Sequence, residues 1–231
     1  MRKQTAANYK SVHERGMIKN HRRVFALVSA PTLQNIDIYQ TMNKIIIEKP
    51  KSYCEAVARM EKTNVNCIYH DTAYGFSIHH DNELFERLVL EINQAGLSWN
   101  TILLKQQNFK KAYHQFNIKK VASYQEADRE RLLNDAGIIR NRLKVDAAIH
   151  NANIILSLQK ECGSFKQWLD SHHPKTKIEW MKLFKQTFKF TGGEIVNEFL
   201  MSTGYLPGAH SEDCVIYKQV IKSKPAWQRK K

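Results

Sequence analysis

Residues 132–144, LLNDAGIIRNRLK, have the pattern of a helix, a tight glycine turn and a second helix. Gly137 can adopt a positive φ in that turn, and the Asn141 side chain can cap the helix that follows. The first amides of that helix would be free donors, flanked by basic side chains. An anion such as a phosphate group fits this arrangement, although an ordinary helical hairpin with a solvated basic face is the alternative. We favour phosphate binding, with the expected contact residues Gly137, Ile138, Arg140, Asn141 and Lys144.

A helical period continues on both sides of this hairpin. Before it, Leu84, Leu88 and Glu91 recur at helical spacing, with Asn82 as the expected cap and Gly96 as the expected end of that helix. Further helices are predicted at about 99–116, 119–124, 126–134, 141–161, 165–169, 179–186 and 193–203. Because strand-like alternation is scarce and brief, the predicted fold class is all-α.

Basic residues are concentrated at the two ends of this chain of 231 residues, whose net charge is +14. Residues 1–50 and 218–231 each carry a net charge of +6, whereas residues 51–217 carry only +2. We therefore predict a basic, poorly ordered N-terminal extension (1–50), a folded domain (51–217) and a basic C-terminal tail (218–231). Basic tails are typical of proteins that bind a polyanion, and a merely solubilising tail is the alternative. No apolar run approaches the roughly 20 residues that span a bilayer, so no membrane partner is expected.

Glu91 is a carboxylate within an apolar helical stripe. Burying a carboxylate is unfavourable unless it is paired or hydrogen-bonded, so this position suggests a functional role. The alternatives are an edge residue that reaches solvent and a carboxylate neutralised by a neighbouring arginine. The segment YHDTAYG, residues 69–75, adds two aromatic side chains and an imidazole, and ordinary core packing explains that segment equally well.

Histidine and cysteine side chains near both ends of the domain could bind one metal ion. His210 and Cys214 are four residues apart, so both can reach one cation, and Cys54 with His70 could supply two further ligands. Cys67 is the rival cysteine ligand. Such a site would close a long loop and join the ends of the domain. The alternative is that the cysteines are reduced thiols that bind no metal, because the spacing of the four candidate ligands is not that of a local zinc finger.

Five motifs in one order resemble the DNA-3-methyladenine glycosylase I family. They are YHDTAYG (69–75), EINQAGLSW (91–99), DAGIIR (135–140), FKFTG (188–192) and HSEDC (210–214). The similarity covers roughly residues 54–217 and excludes both basic ends. It implies an all-α, helix-hairpin-helix glycosylase-like bundle. It also implies a structural zinc ion, whose ligands would be Cys54, His70, His210 and Cys214.

The resemblance also implies roles for individual residues. Glu91 corresponds to the family's base-binding glutamate and is the expected catalytic residue. Tyr69 corresponds to the base-contacting tyrosine, and Trp99 to the stacking tryptophan. Tyr74 stands where the family usually has the tryptophan of Glu-Trp-Gly, and Ala56 replaces another pocket-edge tryptophan. The pocket is therefore expected to differ in shape from that of the family.

The implied activity is hydrolysis of the N-glycosidic bond of 3-methyladenine in double-stranded alkylated DNA, with the base flipped into an aromatic pocket. No strand-cleaving lyase step is expected, since the hairpin lacks the lysine that bifunctional members use. The resemblance further implies a monomer in the bacterial cytoplasm, associated with the nucleoid. The competing interpretations are a non-catalytic nucleic-acid-binding module on the same scaffold and a glycosylase for another lesion.

Overall fold

The computed structural model describes residues 49–229, so all but the last two residues of the predicted N-terminal extension lie outside the described residues. Within 49–229 the chain forms eleven α-helices and two short 3-10 turns, and it contains no strand. The all-α prediction is therefore confirmed. No helix among these residues is long and apolar enough to cross a membrane.

The helices follow one another with short connections. In chain order they are α1 (Tyr53–Ala58), α2 (Val65–Thr72), α3 (Asp81–Gln94), α4 (Trp99–Ala112), α5 (Ile118–Ala122), α6 (Glu126–Asn134), α7 (Arg142–Cys162), α8 (Phe165–His172), α9 (Lys177–Thr187), α10 (Gly193–Ser202) and α11 (Tyr217–Lys222). The 3-10 turns are His114–Phe116 and Ala226–Gln228.

Helix α3 is the centre of the molecule. It packs against α4, α5, α7, α8 and α10, and its side chains from Arg87 to Gln94 are all buried. The apolar stripe recognised in the sequence is therefore only part of its contact surface. Because this part of the helix is enclosed on all sides, its polar residues must find partners within the protein.

Two predictions about local structure were wrong. Asn82 does not cap α3, because His80 occupies the N-cap position and the Asn82 Oδ1 atom accepts a hydrogen bond from the Ile118 amide. The helix expected at about 99–116 ends at Ala112, and a left-handed turn follows at His114–Phe116. That turn directs Phe116 into the core, where its ring stacks on Tyr113 at 5.6 Å.

Residues 218–229, predicted as part of a basic tail, pack on the body of the protein. The Trp227 amide donates to the Gly204 carbonyl over 3.2 Å, and Ala226 is buried. The Arg229 guanidinium pairs with Asp170 at 2.7 Å, and the same carboxylate oxygen accepts from the Tyr205 hydroxyl at 2.9 Å. These contacts fix the C-terminal segment to α8.

Candidate functional site

The Glu91 carboxyl lies inside the protein, as its position in the apolar stripe suggested. Its side chain belongs to the enclosed half of α3 and is 3% exposed. Burial raises the pKa of Glu91 well above its usual range, and the nearby Glu198 raises it further, while Arg87 and a hydrogen bond from Ser202 act in the opposite direction. A cation placed beside this carboxyl would favour its ionised form.

Three aromatic rings line up beside this part of α3. The Tyr69 ring centre lies 5.1 Å from that of Trp99 and 5.6 Å from that of Tyr74. All three rings are buried, and the Ser98 hydroxyl caps α4 so that Trp99 is its first residue. Among the described residues the buried Trp99 Nε1 atom has no hydrogen-bond partner. A buried donor without an acceptor is typical of a site that receives a ligand or water.

Arg87 holds the central tyrosine and was not singled out from the sequence. Its Nη1 atom donates to the Tyr69 hydroxyl at 2.9 Å and to the Ser202 carbonyl at 3.2 Å, and its guanidinium lies 5.0 Å from the Tyr69 ring centre. The signal available in the sequence was its place one helical turn before Glu91. Because the Tyr69 oxygen accepts this bond, its own proton is free to be donated elsewhere.

Glu198 is a second carboxyl next to this cluster that the sequence analysis missed. It projects from α10, and its Oε2 atom accepts a hydrogen bond from the Tyr74 hydroxyl over 3.2 Å. Burial raises the pKa of Glu198 to about 7, although the Tyr74 hydrogen bond favours the ionised form. The cluster thus contains two carboxyls of raised pKa, contributed by different helices.

A groove of about 390 Å³ opens next to Tyr69 and Arg87. Its lining also includes Glu83 and the pair of Glu86 and Lys110, whose charged groups lie 3.4 Å apart. Glu91 and Trp99 are not part of the lining. The groove is therefore not a space beside the Glu91 carboxyl.

The four predicted metal ligands come together. One ligand atom from each of Cys54, His70, His210 and Cys214 lies within 4.8 Å of the others. The Cys214 Sγ atom is 3.7 Å from His70 Nε2 and 3.6 Å from His210 Nδ1, and Cys54 Sγ is 3.7 Å from His210 Nδ1. Cys67 does not take part, because its thiol is buried against the Val57 carbonyl.

The histidines of this cluster are oriented by hydrogen bonds from their other ring nitrogens. His70 Nδ1 contacts Asp71 Oδ1 at 2.7 Å, and His210 Nε2 donates to the Tyr74 carbonyl at 2.7 Å. Each histidine therefore turns the free nitrogen toward the cysteines, as is common for metal-bound imidazoles. Two thiols and two imidazoles at these separations fit a tetrahedral ion such as zinc.

Gly75 allows the two ends of the domain to approach each other. Its φ is +82°, and a Cβ atom there would lie 2.7 Å from the Ala209 Cβ and 3.3 Å from His210 Cδ2. Any other side chain would push the segment carrying His210 away from the one carrying His70. This glycine thus permits the contact between sequence positions more than 100 residues apart.

The predicted helical hairpin is present between α6 and α7. The Asn141 side chain caps α7 by accepting from the Lys144 amide over 3.2 Å, as expected. Gly137 does not adopt a positive φ. Glycine is instead favoured there by close approach, because a Cβ atom would lie 2.9 Å from Asp135 Oδ1 and 3.2 Å from Asn108 side-chain carbons.

The hairpin exposes donors that could meet an anion. Within residues 49–229 the backbone amides of Ile139 and Arg140 have no acceptor, and the Arg140 and Asn141 side chains are exposed. Ile138 is buried and anchors the turn to the core. Of the five expected phosphate contacts, Arg140 and Asn141 are exposed on the hairpin, whereas the amides of Gly137 and Ile138 donate to Asp135 at 2.7 Å and 3.3 Å.

Lys144 does not fit the predicted phosphate contact. Its side chain is 5% exposed, and its ammonium donates to the carbonyls of Asn93 at 2.9 Å and Ala95 at 2.7 Å. The Phe190 ring lies 6.0 Å from the same ammonium. A lysine at the C-terminal end of a helix satisfies free carbonyls and complements the helix dipole, so this cation stabilises the end of α3.

Comparison with known proteins gives one consistent family. The model for methyladenine glycosylases matches residues 58–217. The chain is 37% identical over 168 residues to DNA-3-methyladenine glycosylase 1 of Escherichia coli strain K12, covering 64% of this chain and 89% of that protein. It is 35% identical over 166 residues to DNA-3-methyladenine glycosylase of Haemophilus influenzae, covering 63% and 89% respectively.

Solved structures show the same similarity. A glutamate-to-glutamine mutant of 3-methyladenine DNA glycosylase I from Staphylococcus aureus superposes with a TM-score of 0.62 at 31% identity, over 67% of this chain and 93% of that one. A tyrosine-to-phenylalanine variant of 3-methyladenine DNA glycosylase I, in complex with 3-methyladenine, gives a TM-score of 0.63 at 31% identity, over 68% and 94%.

Proposed function

The chain belongs to the methyladenine glycosylase family, and from this premise we propose that it hydrolyses the N-glycosidic bond of 3-methyladenine in double-stranded alkylated DNA. The observation that carries the proposal is the buried Glu91 carboxyl. The same helix holds Tyr69 through Arg87, and the Tyr69 ring packs against Trp99. An acid kept in a dry aromatic site is suited to recognising a cation.

The substrate's own charge explains this design. Methylation at N3 makes the adenine base cationic and weakens its glycosidic bond, so recognition matters more than strong acid catalysis. The enzyme would extrude the nucleotide and bind its base in the site. Near a cationic base the Glu91 carboxyl ionises and accepts hydrogen bonds from the base edge, which are strong in a site that excludes water.

The aromatic residues would hold the base in place. Trp99 would stack on the cationic ring, a contact of roughly 1–2 kcal/mol with cation–π character. The Tyr69 hydroxyl, already accepting from Arg87, has its proton available for an acceptor on the base. Tyr74 would form the edge of the pocket. Water then attacks the sugar carbon, with no covalent enzyme intermediate and no lyase step.

The hairpin would bind the DNA backbone. We assign this contact to the free amides of Ile139 and Arg140 and to the exposed side chains of Arg140 and Asn141, because they combine donors with positive charge. This is the arrangement expected of a helix-hairpin-helix element. Lys144 has no part in it, since its ammonium is bonded within the protein.

Zinc is the ion that we propose for the Cys54, His70, His210 and Cys214 cluster. A bound zinc ion would stabilise the fold by joining α1, α2 and the segment after α10. Every residue proposed to act on DNA lies on this one chain, so a monomer is sufficient. Because the named relatives are bacterial, we propose that the protein acts in the bacterial cytoplasm with the nucleoid.

A base-release assay tests the activity. The purified protein should liberate 3-methyladenine from methylated duplex DNA, and Glu91→Gln should lower the single-turnover rate about 10- to 100-fold, the effect of losing a hydrogen bond to a charged group. Glu161→Gln, an exposed change of equal charge at the end of α7, is the matched control and should behave as wild type. Duplex binding without base release would instead identify a non-catalytic module.

A further inference from the structure

Glu198 occupies a position that the proposed reaction leaves without a role. Helix α10 packs against α3, and the Glu198 carboxyl reaches the edge of the aromatic cluster through its hydrogen bond with Tyr74. Tyr74 continues the row of rings that runs through Tyr69 to Trp99. The Glu198 carboxyl is thus joined to the site by one phenol.

Glu198 and Glu91 repel each other electrostatically when both are ionised. The charged and titratable groups that face the two carboxyls come from four segments: Tyr69 and Tyr74 from α2 and the loop after it, Arg87 from α3, Lys177 from α9 and Glu194 from α10. Arg87 and Lys177 are the cations among them, and Arg87 already donates to Tyr69 and Ser202. Because Lys177 is paired with Glu194 at 3.4 Å, Arg87 is left among these groups to offset two ionised carboxyls.

We propose that Glu198 is a second base-recognition carboxyl, which acts with Glu91 through Tyr74 to select cationic purine lesions over neutral purines. This inference rests on the proposed function and adds a specificity residue to it. A cationic base offsets the repulsion between the two carboxylates. A neutral purine provides no such compensation, so it leaves the pair unfavourably charged or partly protonated.

Proton release accompanies this selection. Because the pKa of Glu198 is about 7, roughly half of the free protein carries a proton there at neutral pH. When the cationic base binds, the protons held by Glu198 and Glu91 leave for solvent and both carboxyls become ionised. The two carboxyls titrate as a coupled pair, and the contribution of Glu198 grows as the pH rises through 7.

Single-turnover excision at limiting protein, measured from pH 6 to pH 8, tests the proposal. Glu198→Gln keeps an acceptor for the Tyr74 hydroxyl and removes the charge. The ratio of wild-type to Glu198→Gln rates should rise from about twofold at pH 6 to about tenfold at pH 8, following ionisation of one group with a pKa near 7. The ratio for the surface control Glu161→Gln should remain at one throughout.

Two further measurements separate a charge effect from a structural one. Affinity for duplex DNA with 3-deaza-3-methyladenine, which keeps the methyl group and shape but carries no charge, should agree within about twofold between wild type and Glu198→Gln. Tyr74→Phe should shift the midpoint of the pH profile upward, because the hydroxyl stabilises the ionised carboxyl. Melting temperatures at each pH identify any variant that is merely unfolded.

The possible outcomes are distinct. A ratio that does not change with pH, or an equal loss on the neutral isostere, would show that Glu198 acts only by holding Tyr74 and would overturn the inference. The proposed function would stand in that case, since wild type would still release the base. A wild-type protein that releases no 3-methyladenine would overturn the proposed function, and this inference with it.

Discussion

Lys144→Met tests whether this buried ammonium stabilises the end of α3 or binds DNA. Methionine has a similar length and fills the same space, but it cannot donate to the carbonyls of Asn93 and Ala95. A hydrogen bond to a charged group contributes roughly 1.5–3 kcal/mol, so two contribute roughly 3–6 kcal/mol. Burial, which lowers the pKa of Lys144, offsets part of this gain.

We expect a net loss of about 2–3 kcal/mol in the free energy of unfolding. For a domain of this size that corresponds to a melting temperature lower by about 4–12 °C. Thermal melting and denaturant unfolding measure the loss. Base excision should fall as well, because the carbonyl of Ala95 precedes Trp99 by four residues and loses its fixed position.

DNA binding at several salt concentrations distinguishes the two roles. The slope of log affinity against log salt should be unchanged in Lys144→Met, since a buried cation releases no counterions from DNA. Arg140→Met is the contrasting variant, because Arg140 is exposed on the hairpin. It should melt as wild type and lower the slope by about one. A smaller salt slope with unchanged stability in Lys144→Met would refute the structural role and restore the phosphate contact.

Three further changes have defined outcomes. Treatment with a strong chelator, or the change Cys214→Ser, should lower the melting temperature by several degrees. Metal analysis should then show a loss of one zinc ion per chain. Cys162→Ser, at an exposed cysteine outside the cluster, should change neither quantity. Asp170→Asn should destabilise the protein at pH 7. Burial acts to raise the pKa of Asp170, but hydrogen bonds including that from Arg229 lower it below its usual value. The stabilisation by the ionised carboxylate is therefore present above the unfolded-state pKa and is lost as the pH falls through the folded-state pKa. Equal stability of wild type and Asp170→Asn at pH 7 would contradict this. Trp99→Leu should slow excision about 5- to 30-fold if stacking contributes 1–2 kcal/mol, and an unchanged rate would exclude stacking.

The helices could be predicted from the sequence because their signals are local. The interval 126–134 was predicted with the bounds that the structure gives, and the Asn141 cap needs only residues three positions apart. Asn82 shows where local signals fail. Its side chain bonds the Ile118 amide, 36 positions away, and this contact replaces the helix cap that its type favours.

The site was predictable in part for the same reason. The metal ligands and Glu91 stand in motifs that can be compared with a family, whereas the partners that set their properties come from distant segments. Glu198 lies 124 positions from Tyr74, and Lys144 lies 51 from Asn93. A lysine next to a glycine turn has the same sequence pattern whether it faces solvent or another helix. Only tertiary packing decides between the two.

The buried ammonium of Lys144 makes the hairpin and the end of α3 one rigid unit. Helix α7 begins at the hairpin, and its third residue is bonded to the last turn of the helix that carries Glu91. A bound duplex would therefore meet a fixed spacing between the backbone contact and the base-recognition side chains. Under the proposed function, the movement that brings a base to Glu91 would therefore be made by the DNA, while the hairpin and the end of α3 keep their spacing.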